Sequence, residues 1–159
     1  MIPGLSCADC SVAQVTSRSA NCDIEPRSQV LSVSSSEPKI DVIRRLQQAA
    51  LRRDKQAFLA FFAPDVDYHY HFGSRPLKGR DWVDRFITKY WANHSATTWV
   101  IEHWAERDGR LFSEGREEYV NAHGVLVKHP YMGIIEFGPD GLISGWRDYF
   151  QMNDPNAGK

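Results

Sequence analysis

From Thr97 to Met152 the chain reads TTWVIEHWAERDGRLFSEGREEYVNAHGVLVKHPYMGIIEFGPDGLISGWRDYFQM. Three polar interruptions divide it: Arg107-Asp108-Gly109-Arg110, Asn121-Ala122-His123-Gly124 and Gly138-Pro139-Asp140-Gly141. Each combines Gly with Asp or Asn, residues that accept the backbone of tight turns. The runs between them are rich in Val, Ile, Tyr, Phe and Trp, which favour strands. The pattern predicts four antiparallel strands, Thr97 to Ala105, Leu111 to Val120, Val125 to Phe137 and Leu142 to Met152, joined by hairpins.

Upstream the period changes. Ser36 reads as an N-cap with Pro38 in the first turn, and Val42, Ile43, Leu46 and Ala50 then fall on one helical stripe. A second short helix starts near Asp54, carries Phe58, Phe61 and Phe62, and ends at Ala63-Pro64-Asp65, since Pro64 cannot continue helical bonding. Val66 to His71 reads as a short strand. Leu77 to Asp81 reads as a loop, with Asp81 an N-cap for a helix through Trp82, Phe86, Ile87 and Tyr90 to about Asn93. Helices first and strands afterwards make an α+β layout and not a βαβ one. A long twisted antiparallel sheet curls, and helices laid on its concave face leave a pocket lined by every second strand residue.

The 159 residues suit one domain, expected over 37–155, behind a Ser-rich tail, 1–36, without sustained apolar period and read as disordered. Cys7, Cys10 and Cys22 all lie in that tail, so the core is expected to need no disulfide. Cys7-Ala8-Asp9-Cys10 has no nearby histidine to complete a zinc set, and the thiols read as incidental. The first residues lack a basic segment followed by an apolar one, so a cytoplasmic location is the expectation. A net charge of -1 offers no basic field for nucleic acid, and no apolar run is long enough to span a bilayer.

The chemistry-bearing residues cluster on the strands. Arg116 and Glu118 sit two apart and share a face; Asp148 stands on the last strand. Tyr68 and Tyr70 share one face of the first strand, His69 and His71 the other. Turned inward, Arg116, Glu118 and Asp148 would give two carboxylates with an arginine between them, an acid–base set. Charged residues at alternate strand positions equally suit a solvated face, and a one-residue change of register would turn Arg116 and Glu118 outward. His69-x-His71 gives two metal ligands without a third, so neither metal nor cofactor is expected. Trp146, Phe86, Met132, Tyr131 and His129 are the candidate substrate contacts.

Phe61-Phe62-Ala63-Pro64-Asp65-Val66-Asp67-Tyr68, then Gly79-Arg80-Asp81, then Gly141-Leu142-Ile143-Ser144-Gly145-Trp146-Arg147-Asp148-Tyr149-Phe150, resemble the nuclear transport factor 2-like superfamily over about residues 40–152. The ending resembles the limonene-1,2-epoxide hydrolases and the SnoaL-like polyketide cyclases. The resemblance implies a cone: three N-terminal helices on a strongly curved, mostly antiparallel mixed sheet enclosing a pocket. It implies a hydrolase opening an epoxide by one-step attack of water. Asp148 would activate the water, Tyr68 would hold it, Arg116 would lie between the acids and Glu118 would donate the proton. Glu118 stands where those hydrolases have Asp, and Tyr70 where they have Asn. The alternatives are a SnoaL-like cyclase, isomerase or dehydratase, or a non-catalytic binder of an apolar small molecule. The resemblance also implies a homodimer, paired through the outer sheet face, where Tyr119 and Tyr149 are expected.

Overall fold

The computed structural model describes residues 37–150. The tail with its three cysteines, the Ser36 cap and the last residues of the final predicted strand lie outside them. The elements, in order, are α1 (Lys39–Leu51), α2 (Lys55–Leu59), β1 (Phe62–His69), β2 (Leu77–Lys78), α3 (Arg80–Asn93), β3 (Ser95–Arg107), β4 (Arg110–Val120), β5 (Leu126–Phe137) and β6 (Ile143–Phe150). The strands form one sheet in the order β2-β1-β6-β5-β4-β3. Only β1 and β6 run parallel. This is the expected α+β fold, a curved, mostly antiparallel mixed sheet with three helices among the described residues.

The turns behave as their residues require. Asp108 and Gly109 both take positive φ, 50° and 72°, the backbone of a two-residue hairpin turn whose twist suits the strands it joins. Asn121 Oδ1 accepts the backbone N–H groups of His123 and Val125, each at 3.0 Å, closing the next turn with a side chain.

Three local readings differ from the expectation. Leu77–Lys78, expected in a loop, form the short strand β2 against Asp67 and Tyr68. Pro64 does not terminate a helix; it lies inside β1. The pairing of β1 with β6 shifts between Phe62 and Asp67, and β2 reaches only Asp67 and Tyr68. Pro64 therefore occupies a bulge, where the missing N–H breaks no ladder bond. Arg80 braces this bulge by donating Nε and Nη2 to the Phe62 carbonyl at 2.9 and 2.5 Å. Asp81 does not cap α3: Gly79 holds the cap position with φ 87°, and Asp81 lies in the first helical turn, where its charge favours the helix dipole.

The inner sheet face carries the core. Val42, Ile43 and Leu46 of α1 pack with Phe58, Phe62, Val66, Leu111, Ile135 and Trp146. Pro38 offers α1 no side-chain cap, and Glu106 of β3 accepts the free Ile40 N–H at 2.9 Å instead. Among the described residues no helix is long and apolar enough to cross a membrane.

Candidate active site

The helices fill only part of the concave sheet. Beyond the core a cavity of about 620 Å³ remains. Its walls are aromatic: Phe58, Phe86, Trp91, Trp99, Trp146 and Phe150. Tyr70 stacks on Phe86 at 5.0 Å, and Tyr68 meets both Phe86 and Trp146.

Asp148 lies at the floor. Its Oδ1 accepts the Trp146 indole N–H at 2.7 Å. The floor has room for this carboxylate because Gly133, opposite it on β5, has no side chain. A Cβ there would stand 3.0 Å from Asp148 Oδ1 and 3.1 Å from Ser113 Oγ. Loss of water pushes the Asp148 pKa up to about 8; the Trp146 hydrogen bond partly offsets this, and the negative field of Glu117 adds to it. Burial, then the charges of Asp148 and Glu117, hold the Tyr68 pKa well above the phenol range, so its hydroxyl keeps its proton. Tyr131 is likewise pushed up by burial. Its oxygen accepts the Trp99 indole N–H at 2.7 Å and also hydrogen-bonds Ser113.

Further along the same wall, Glu117 accepts a hydrogen bond from the Tyr90 hydroxyl. Its other oxygen lies 3.6 Å from His129 Nε2. Arg53 is the one cationic Lys or Arg on the cavity wall among the described residues. It points away from the floor, donating to the Trp91 and His94 carbonyls at 2.9 and 2.6 Å. The described residues contain no group of three His, Cys, Asp or Glu placed to hold a metal ion.

The family model for the SnoaL-like domain matches residues 43–146. The chain belongs to the SnoaL-like domain family. Solved structures share the fold. A nuclear transport factor 2-like protein from Burkholderia pseudomallei has TM-score 0.64 at 21% identity, covering 71% of this chain and 90% of that one. An epoxide hydrolase of the limonene type from M. tuberculosis has TM-score 0.63 at 18% identity, covering 71% and 82%. SalBIII, described as an epoxide hydrolase/cyclase-like enzyme in pyran ring formation in salinomycin, has TM-score 0.66 at 15% identity, covering 73% and 92%. At these identities the likeness concerns the fold. No curated protein sequence matches.

In this SnoaL-like domain the expected residues divide between the cavity and the outer sheet face. Asp148, Tyr68, Tyr70, Trp146, Phe86, Tyr131 and His129 all line the cavity. Arg116, Glu118 and Met132 do not, and their expected positions are corrected here. On β4 the inward residues are Leu111, Ser113, Gly115, Glu117 and Tyr119, so Arg116 and Glu118 face out. Arg116 pairs there with Glu102, and Glu118 with Lys128 at 2.9 Å. Met132 is 59% exposed on the outer face. Tyr119 is corrected in the opposite sense: it is buried against Tyr90 and His94.

The sequence reading missed Glu117 as a site residue, and the parity of β5 carries the signal for it. Lys128 points to solvent, so His129 points inward. Glu117 pairs with His129 across the hairpin closed at Asn121–Gly124. His71 also reaches the cavity, because β1 ends at His69 and strict alternation stops there.

Proposed function

We propose that this SnoaL-like domain is a small-molecule enzyme that moves protons on an apolar substrate, with Asp148 as the general base. One observation carries the reading: a carboxyl on the floor of an aromatic cavity, its pKa lifted to about 8 by lost solvation. A base whose pKa lies near working pH is the effective kind, and burying a carboxyl without a cation is costly unless it has a task. Tyr131 supplies the complementary group. With its oxygen engaged by Trp99 and Ser113, its O–H is available as a donor.

This arrangement best supports proton abstraction beside a carbonyl. Asp148 takes the C–H proton, the electron pair moves onto the carbonyl oxygen, and the Tyr131 hydroxyl stabilises the enolate. Return of the proton elsewhere gives an isomerase; attack of the enolate carbon on a second carbonyl gives a cyclase. Neither step needs an arginine beside the base, which accords with Arg116 on the outer face.

A second reading is epoxide hydrolysis, favoured by one observation: a second carboxylate, Glu117, shares the cavity with Asp148. Asp148 would then activate water, and Glu117, not Glu118, would deliver the proton. Likeness to the epoxide hydrolase of M. tuberculosis and to SalBIII lends it support. Mass spectrometry separates the two. Cyclic ketones incubated in D₂O gain deuterium with the wild type and not with Asp148→Asn under the first reading. Epoxides in ¹⁸O-water yield labelled diols under the second. If neither label is incorporated by the wild type, both readings fail and a binder of apolar molecules is the reading that remains.

We further propose a homodimer through the outer sheet face. Met132 and Phe112 are exposed there, and Tyr149 stacks on exposed Phe72 at 5.0 Å. Sedimentation of Met132→Arg as a monomer, with wild type as a dimer, is the expected result; a monomeric wild type at micromolar concentration excludes the dimer.

A further inference from the structure

The cavity presents an open carboxylate and no free Lys or Arg to balance it. Glu117 is turned inward on β4, directly between Trp99 on β3 and His129 on β5. Its side chain is 26% exposed, against 2% for His129, and it lines the cavity. The Tyr90 hydroxyl donates to Oε1 and fixes the carboxylate's position. That bond takes one of about four lone-pair sites on a carboxylate.

The neighbouring basic groups do not cancel this charge. Arg53, the one Lys or Arg on the cavity wall among the described residues, is committed to the Trp91 and His94 carbonyls at 2.9 and 2.6 Å. His129 Nε2 lies 3.6 Å from Glu117 Oε2. A second proton on that ring would sit on Nδ1, which is buried without a hydrogen-bond partner among the described residues. Burying an unmatched charged donor is costly, so the ring is not the counter-ion. The other carboxyl of the cavity, Asp148, brings no positive charge. An apolar cleft carrying charge of one sign draws ligands of the other.

The walls suit a positive ligand as well. Trp99 pairs with Glu117 across the β3–β4 ladder, at the spacing of about 5 Å that brings cross-strand side chains into contact. Its indole N–H is held by Tyr131, which fixes the ring. Tyr90 reaches the carboxylate from α3. A cation drawn to Glu117 therefore meets aromatic rings, whose electron-rich faces attract organic cations, Trp most strongly.

We propose that Glu117 makes this cavity selective for an organic cation, a protonated or quaternary amine carried on an apolar skeleton, with Trp99 and Tyr90 alongside the charge. This deepens the functional reading by naming a substrate class. That the same molecule also carries a carbonyl rests on the Asp148 reading; the amine subsite rests on Glu117 and its surroundings.

Three probes of nearly one size test it: phenethyltrimethylammonium, its neutral isostere (3,3-dimethylbutyl)benzene, and the anion 4-phenylbutyrate. Binding to the intact chain is read by fluorescence of the tryptophans that line the cavity. The wild type should bind the cation about tenfold or more tighter than the isostere, and the anion weakest. That order tests the proposal without any variant. Glu117→Gln should shrink the preference for the cation to about threefold or less while holding the isostere as the wild type does, a change that a merely structural role for Glu117 would not produce. Glu118→Gln, one residue along on the outer face, and Asp148→Asn should both keep the preference. No turnover is measured, so a wild type inert towards ketones leaves the amine subsite standing, and loss of the amine preference leaves the role of Asp148 untouched. Equal wild-type affinity for cation and isostere, tightest binding of the anion, a full preference retained in Glu117→Gln, its loss in Glu118→Gln or Asp148→Asn, or no binding of any probe would each overturn the proposal.

Discussion

The Trp146 indole N–H donates to Asp148 Oδ1 at 2.7 Å, from two residues earlier on the same strand. The bond is the chief influence holding the Asp148 pKa down against desolvation. Trp146→Phe keeps an aromatic wall and removes the donor. The Asp148 pKa should then climb by on the order of one unit, and the pH–rate midpoint should move up with it. A kcat/KM profile across pH 5 to 10 checks this; an unmoved midpoint would mean that another group sets it.

Asp148 also links stability to pH, and the sign is opposite to that of a salt-bridged carboxylate. Its folded pKa, about 8, lies above the ordinary 3.8. Between those values the folded state holds the proton more tightly than the unfolded one, so stability falls as pH rises through the window. Below it both states are protonated, and above it both are ionised. Asp148→Asn should remove this slope. It should also be more stable than wild type at pH 8, by on the order of a few kcal/mol once screening in an open cavity is allowed for, while losing turnover. Urea titrations of both proteins at pH 5 and pH 8 measure the effect. A wild-type stability that rises over this interval, or a variant no firmer at pH 8, would refute it.

Gly133 is the third test, because its lack of a side chain makes the floor. An alanine Cβ would press on Asp148 Oδ1 at 3.0 Å and Ser113 Oγ at 3.1 Å. Both contacts are side-chain ends that can give way, so the fold should survive with a cost of about 1–2 kcal/mol. Displacing a base by a few tenths of an ångström should lower kcat at least tenfold. Thermal unfolding and steady-state kinetics on Gly133→Ala separate the two consequences. Wild-type kcat in a folded variant would show that the carboxylate position is not critical.

The hairpins were legible because Asp108-Gly109, Asn121 and Gly141 are chosen for their turns, and Asp148 because the final strand is distinctive. The inward residue of β4 was less legible. Leu111 and Phe112 are both apolar, Gly115 carries no side chain, and Arg116, Glu117 and Glu118 are all charged, so the strand alone shows no parity. It becomes readable only through its partner, where Lys128 and His129 differ sharply in where they can lie. Pro64 misled for a related reason: a proline stops a helix and also sits at a bulge, and only the shifted pairing with β6 distinguishes the two.

The same parity separates charges on β4 that serve the cavity from charges that do not. Arg116 and Glu118 lie on the outer face, their side chains 49% and 28% exposed, in a row of charges that includes Glu102 and Lys128. Surface pairs of this kind contribute little, about 0–1 kcal/mol. Arg116→Ala and Glu118→Gln should therefore keep kcat within about twofold and shift stability by less than about 1 kcal/mol. Glu117→Gln, one residue away, removes a charge from the cavity that Asp148 also lines. That charge raises the Asp148 pKa, so its loss should move the pH–rate midpoint down. Kinetics on the three variants side by side, over one pH series, decide between the faces. A large loss of turnover in Arg116→Ala with an unmoved midpoint in Glu117→Gln would restore the carboxylate–arginine–carboxylate set and overturn the assignment of β4's inner face to the site.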